Sequence, residues 1–194
     1  PGQVEQFRAG KTKVLGFWSP SLNFTDDIVT GDFNGDGRTD IAGRTAVGQW
    51  WSAMANTDTV GFTNVALGFW STAVSWSNVN VGDFNGDGHS DIIARANNGQ
   101  WWGLMSDGTD GPRSNTQVGY WKASTIWTGI TSGDPDGDGI DELLGRVATS
   151  ETTARGALWV ANIVEGGLMQ SSRWGFQGVA PSVEARNLFF AEFR

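Results

Sequence analysis

The sequence GDFNGDGRTDIAGR at residues 31–44 recurs as GDFNGDGHSDIIAR at 82–95 and as GDPDGDGIDELLGR at 133–146. The first aspartates of these segments are 51 residues apart, at Asp32, Asp83 and Asp134. A fixed period of this length indicates an array of similar structural units, because each unit of a repeat protein packs mainly on its neighbours. The repeat therefore decides the architecture.

The residues around the acidic segments follow the same register. A Gly-aromatic-Trp triplet precedes each segment, and GQWW follows the first two at 48–51 and 99–102. Short runs of strand-forming residues separated by Gly, Asn, Asp and Ser predict four β-strands per unit. Adjacent tryptophans in a strand point to opposite faces, so both faces of each sheet must be covered. Stacked four-stranded units of this size predict an all-β fold, a β-propeller of ~51-residue four-stranded repeats.

We expect one propeller domain over residues 1–194. Complete repeats are predicted at 24–75, 76–125 and 126–176. Residues 1–23 resemble the terminal strands of a unit, and residues 177–194 resemble its first strand, so together they predict a composite blade. Two architectures are open: a small four-bladed ring closed by that blade, or part of a larger propeller completed by a parent chain or a homo-oligomer.

The acidic segment has the chemistry of a calcium loop. Written from its first aspartate, it reads D-x-[DN]-x-D-G-x-x-[DE], with oxygen-bearing side chains at positions 1, 3, 5 and 9 and a carbonyl available at position 7. Such a set of hard oxygens suits Ca²⁺ better than Mg²⁺ or softer metals. An EF-hand is excluded because position 12 is Gly43, Ala94 or Gly145 and the flanks are strand-like. The predicted ligands of about three calcium ions are Asp32, Asn34, Asp36, Arg38, Asp40, Asp83, Asn85, Asp87, His89, Asp91, Asp134, Asp136, Asp138, Ile140 and Glu142.

The units resemble FG-GAP (VCBS-type) repeats of integrin-like β-propellers. GFW and IAGR stand where that family often has Phe-Gly and Gly-Ala-Pro. DIAGR followed by GQWW is closer to secreted microbial members and to fungal sugar-binding propellers of the same repeat class. The resemblance implies calcium loops that join the first and second strands of each blade.

Composition excludes several classes of function. A net charge of −8 argues against nucleic acid as a partner, and 10 of the 21 acidic residues occupy ligand positions of the three loops, so the acidity is local. No apolar run is long enough to span a membrane. The chain has no cysteine, and its single histidine, His89, belongs to an acidic segment, so a Cys/His or Ser/His/Asp centre has no other residue to be built from. We therefore expect no enzymatic activity.

The sequence thus predicts a secreted, extracellular or cell-surface protein that serves as a calcium-stabilised, non-catalytic binding or adhesion module. Its expected partner is an extracellular protein or a glycan. The alternatives are a lectin with repeated Trp/Arg pockets and an accessory domain of a secreted enzyme. Packing between blades and inter-blade salt bridges are the favoured explanation of the repeated Trp and Arg. The candidate ligand-binding residues are Trp18, Trp70, Trp121, Trp174, Arg44, Arg95 and Arg146.

Overall fold

The structure is a computed structural model that describes residues 18–57, 61–148, 156–164 and 168–173. Within these ranges the chain forms one 3-10 turn, Pro20–Leu22, and twelve β-strands in three antiparallel sheets. The all-β prediction is confirmed. The strands are β1 (Phe24–Gly31), β2 (Asp40–Thr45), β3 (Gln49–Ala55), β4 (Phe62–Phe69), β5 (Trp76–Gly82), β6 (Asp91–Ala96), β7 (Gln100–Met105), β8 (Ser114–Tyr120), β9 (Trp127–Gly133), β10 (Glu142–Val147), β11 (Leu158–Val164) and β12 (Leu168–Arg173).

Each sheet is a four-stranded meander in which every strand pairs with the next one in sequence. The sheets have the orders β1-β2-β3-β4, β5-β6-β7-β8 and β9-β10-β11-β12, and we call them the first, second and third blades. The acidic segments connect the first and second strands of each blade. The pairs Gly31–Asp40, Gly82–Asp91 and Gly133–Glu142 close these connections, so both ends of every acidic loop are fixed by strand pairing.

The blades stack on one another as in a propeller. The first strands are in contact, β1 with β5 and β5 with β9, and the last strands are in contact, β4 with β8 and β8 with β12. Of the predicted composite blade, residues 1–17 and 177–194 lie outside the described residues. The closure of the ring therefore stays a prediction.

The hydrophobic core lies between the blades. Ile92 packs with Trp50 and Leu67 of the first blade, whereas the adjacent Ile93 packs in a second cluster with Leu143 of the third blade. Neighbouring residues of one strand thus fill two different interfaces, because strand side chains alternate between faces. Full burial of such a side chain contributes roughly 1.5–3 kcal/mol, so these interfaces stabilise the stack of blades.

Aromatic pairs connect consecutive blades. The Trp that ends one unit stacks on the aromatic residue that begins the next, and such stacking adds about 0.5–1.5 kcal/mol to the burial of the rings. Ring centroids are 4.3 Å apart in Trp18–Phe24, 4.8 Å in Trp70–Trp76 and 4.1 Å in Trp121–Trp127.

Candidate functional site

The candidate site consists of three acidic loops at the same end of the blades. We call residues 32–40 loop 1, residues 83–91 loop 2 and residues 134–142 loop 3. Loop positions are counted from the first aspartate of each loop.

The first aspartate of each loop organises the turn that follows it. In loop 1, the amides of Asp36 and Gly37 donate to the carboxylate oxygens of Asp32 at 3.1 and 2.7 Å. Asp83 and Asp134 accept the equivalent amides in their own loops. The loops therefore share one hydrogen-bond pattern, centred on the position-1 carboxylate.

The next two oxygen-bearing positions repeat this arrangement. The position-5 carboxylate accepts the amide of position 7 at 2.9 Å in all three loops. In loops 2 and 3 the position-3 side chain accepts the amide of position 5 at 3.0 and 3.3 Å. A left-handed residue at position 6 allows the bend, and glycine adopts that conformation without a steric penalty. The φ angles there are 81° at Gly37, 83° at Gly88 and 88° at Gly139.

These bonds gather the carboxylates of a loop. In loop 3, oxygens of Asp134, Asp136 and Asp138 lie within 4.8 Å of one another, an arrangement that could hold a metal ion. Asn34 and Asn85 replace the central carboxylate in the other two loops. The position-7 residues were predicted as ligands through their carbonyls, and this stays a prediction. The side chain of Arg38 donates to the carbonyl of Asn56.

The position-9 carboxylates of loops 1 and 2 are fully buried behind their loops. Asp40 accepts the amides of Phe33 at 2.9 Å and Ala55 at 2.7 Å. Asp91 accepts the equivalent pair, from Phe84 at 3.1 Å and Ser106 at 2.6 Å. These bonds tie each loop to the far end of the third strand of its blade.

Loop 3 departs from this pattern at its position-9 residue, Glu142. Pro135 occupies position 2 and has no amide to donate, whereas phenylalanines donate there in the other loops. Glu142 is 1 % exposed; its Oε1 accepts from Asn162 at 2.7 Å, but its Oε2 has no hydrogen-bond partner within the described ranges. A buried carboxylate oxygen in that state is unfavourable unless a proton or a cation neutralises its charge.

Burial perturbs the protonation of all three position-9 acids. It raises the pKa of Asp40 above its usual value, and the charges of Asp36 and Asp32 add to the effect. Burial also raises the pKa of Asp91 to about 7, against the opposing effect of its amide donors. The pKa of Glu142 rises to about 7, first through burial and then through the neighbouring loop carboxylates. Each loop therefore places negative charge where the protein solvates it poorly.

Arg113 partly neutralises only loop 2. Its nearly fully buried guanidinium is 3.6 Å from Asp91 and donates to the carbonyl of Phe33 in loop 1 at 2.6 Å. No other Lys or Arg among the described residues forms an ion pair with a loop carboxylate. Arg113 was missed in the sequence because no arginine recurs at this place in the repeat.

The structure gives most of the predicted Trp ligand-binding residues packing roles. Trp70 and Trp121 are buried, so a sugar ring cannot stack on them. Trp18 is half-buried, stacks on Phe24 and donates its indole N–H to Asn64 at 3.0 Å. Trp174 lies outside the described residues.

The predicted arginines have three different environments. Arg44 pairs with Asp27, its Nε donating at 2.7 Å. Arg95 donates to the carbonyls of Trp121 and Lys122 at 3.0 and 2.9 Å. Arg146 is exposed and lines an open pocket with Val147, Ala148 and Gly156. The three therefore do not form a row of equivalent pockets.

Comparison with known proteins identifies the repeat. Residues 32–94, from the start of loop 1 into β6, match the family model of the FG-GAP-like repeat. Residues 32–94 therefore carry an FG-GAP-like repeat. At the level of this family, an FG-GAP repeat suggests a binding or adhesion module, and its domains are generally non-catalytic. No curated protein matches the chain. Across its described residues, we find no helix with the length and apolarity needed to cross a membrane.

Proposed function

We propose that this protein is an extracellular, non-catalytic binding module whose blades are stabilised by calcium in the three acidic loops. Its partner would be an extracellular protein or a glycan. The ions would be held by the side-chain oxygens of positions 1, 3, 5 and 9 and by the carbonyl of position 7. Bound calcium would add positive charge to loops in which, among the described residues, Arg113 beside Asp91 is the one Lys or Arg paired with a carboxylate.

The buried Glu142 carboxylate carries the calcium proposal. One of its oxygens has no hydrogen-bond partner among the described residues, and its pKa is raised to about 7 by burial and by the surrounding loop acids. A hard cation would satisfy the free oxygen and offset the repulsion within loop 3. Loops 1 and 2 support the proposal with the same hydrogen-bond pattern and buried aspartates at position 9.

Thermal melting tests the calcium proposal. Calcium that binds only the folded loops stabilises them by about 2.7 kcal/mol per site at 100 times Kd. We therefore expect the melting temperature to be much lower in EDTA than in millimolar calcium, with magnesium restoring little of the difference. Asp36→Ala and Asp87→Ala should each reduce the calcium-dependent gain. Asp107→Ala is the matched control, since Asp107 is an exposed acid outside the loops. An equal melting temperature in calcium and EDTA would reject structural calcium.

The lectin alternative receives less support from the described residues. Buried Trp70 and Trp121 stack between blades, and Arg44 and Arg95 are engaged by neighbouring groups. A glycan array probed with and without EDTA tests it directly. Calcium-dependent binding to one class of glycan would restore the lectin hypothesis and make the glycan the partner.

A further inference from the structure

Loop 1 is held by a pair of hydrogen bonds from the next blade. The amide of Asp32 donates to Oγ of Ser90 at 3.0 Å, and the amide of Ser90 donates back to the carbonyl of Asp32 at 2.7 Å. Asp32 is position 1 of loop 1, whereas Ser90 is position 8 of loop 2. Asp32 organises loop 1, and both its amide and its carbonyl are hydrogen-bonded to Ser90 of the following loop.

The same reciprocal pair joins loops 2 and 3. The amide of Asp83 donates to Oδ2 of Asp141 at 2.8 Å, and the amide of Asp141 donates to the carbonyl of Asp83 at 2.7 Å. Asp141 is again at position 8. Serine and aspartate differ in charge, but both present a side-chain oxygen acceptor, so the bond itself is the shared feature.

The sequence around both pairs permits this close approach. A Cβ atom added to Gly31 would lie 2.9 Å from Cβ of Ser90, and one added to Gly82 would lie 2.5 Å from Oδ2 of Asp141. Real Cβ atoms do not approach so closely, so the glycines before loops 1 and 2 make room for the position-8 residue of the following loop. At Gly133, before loop 3, no described atom lies within 4 Å of the added Cβ.

The position-7 side chains complete the contact. A Cβ added to Gly35 of loop 1 would lie 2.9 Å from the ring of His89, and one added to Gly86 of loop 2 would lie 3.1 Å from Ile140. Positions 7 and 8 of one loop therefore cover positions 4 and 1 of the preceding loop. Loop 3 has no such cover from the described residues, and its residues 134–139 are all exposed.

We propose that Ser90 and Asp141 are positioning residues for the calcium site of the preceding loop, so that each covered site is completed by the blade that follows it. This inference rests on the proposed calcium function. Without metal, repulsion between carboxylates favours a relaxed loop, in which the position-1 aspartate moves away from the position-8 residue of the following loop. The hydrogen bond from position 8 is made in the closed loop and lost in the relaxed loop. It therefore stabilises the state that binds calcium and raises the calcium affinity.

Nuclear magnetic resonance can follow each loop separately. The position-6 amides of Gly37, Gly88 and Gly139 donate to the first aspartate of their own loops at 2.7, 2.8 and 2.9 Å, so their resonances report local calcium binding. Metal-depleted protein is titrated with calcium, and a midpoint is obtained for each glycine. Loss of one hydrogen bond from an amide to a side chain corresponds to a calcium affinity that is roughly five-fold weaker.

The expected effect of Ser90→Ala falls on the loop to which Ser90 does not belong. The midpoint of Gly37 should rise about five-fold, the change expected for one lost hydrogen bond, while that of Gly88 stays unchanged. Thr39→Ala is the matched control, because Thr39 is position 8 of loop 1 and bonds no other loop within the described ranges. It should leave all three midpoints unchanged.

A second pair of variants separates the hydrogen bond from charge and from general destabilisation. Asp141→Ala should weaken the site reported by Gly88, whereas Asp141→Asn, which keeps an acceptor oxygen, should retain most of its affinity. If Ser90→Ala leaves Gly37 unchanged, or shifts Gly37 and Gly88 together, the positioning role is wrong. If none of the three glycines responds to calcium in the unmodified protein, the calcium function itself fails first.

Discussion

The substitution Glu142→Gln should change the stability of the protein in opposite directions with and without calcium. In the unfolded chain this carboxyl has an ordinary pKa near 4.5, whereas in the folded protein its pKa is about 7. At pH 8 the folded protein without metal must therefore hold an ionised group that its environment disfavours. Glutamine removes the charge while its carbonyl oxygen can still accept from Asn162.

The size of the effect follows from the pKa difference. At about 1.4 kcal/mol for each pH unit, the ionised carboxylate costs up to roughly 3 kcal/mol. Glu142 is buried, but residues 134–139 of loop 3 are exposed, so solvent screens the charges of the neighbouring carboxylates and reduces this cost to about 1–2 kcal/mol. For a protein of this length, that corresponds to about 3–6 °C. The melting temperature in EDTA at pH 8 should rise by this amount, whereas in calcium it should fall, because an anionic ligand has been lost.

Asp91→Asn is the matched control. Both oxygens of Asp91 accept backbone amides, so an Asn NH₂ group would face a donor at one of them. This variant should be less stable than the unmodified protein in both EDTA and calcium. The assay is circular-dichroism melting of the two variants under both conditions. If Glu142→Gln lowers the melting temperature equally in EDTA and calcium, Glu142 is not an uncompensated metal ligand.

Three further predictions concern the buried charges and the interfaces between blades. In EDTA, the free energy of unfolding should fall as pH rises from about 4 to about 7, because Asp91 and Glu142 bind protons more tightly in the folded state; urea unfolding at pH 5 and pH 8 measures this, and saturating calcium should remove most of the difference. Trp121→Ala should lower the free energy of unfolding by about 3–5 kcal/mol, because it opens a cavity between the second and third blades, and Trp121→Phe should lower it less. Urea unfolding in calcium compares the two variants. A loss below 1 kcal/mol for the alanine variant would contradict the packing role. Arg113→Met should lower the free energy of unfolding by about 3 kcal/mol, because it leaves Asp91 without its cation. Adding Asp91→Asn in a double variant should recover part of that loss. If the losses of the two single variants simply add, the two residues are not coupled.

The repeat made the fold predictable because its features are local. Alternating oxygen-bearing residues, the position-6 glycine and the flanking strand residues all lie within one segment, and the constant spacing shows that the segment is used three times. The adjacent Trp pairs likewise predicted sheets with both faces covered. The clusters around Ile92 and Ile93 correspond to those two covered faces.

The roles of the repeated tryptophans were harder to predict. An indole face can stack on a sugar or on another indole, and the sequence alone does not distinguish the two. Only the three-dimensional arrangement places Trp121 between Trp101 and Trp127 in the interface between the second and third blades. The physical signal that decides its role is burial, which depends on the neighbouring blade.

Contacts between units were not evident from the repeat itself. Arg113 reaches Phe33 across 80 residues of sequence, and nothing in the repeated pattern marks it. Position 8 holds Thr39, Ser90 and Asp141, three different side chains, so its shared role as a hydrogen-bond acceptor is visible only for the two that contact a preceding loop. The difference at Pro135 is visible in the sequence, because proline has no backbone amide to donate to the position-9 carboxylate of its loop.

Counting the bound ions tests the central claim most directly. Native mass spectrometry of metal-depleted protein, returned to millimolar calcium and transferred to a volatile buffer, should resolve about three calcium ions per chain, one for each loop. Asp36→Ala, Asp87→Ala and Asp138→Ala should each remove one of them. A chain that takes up no calcium under these conditions would contradict the account.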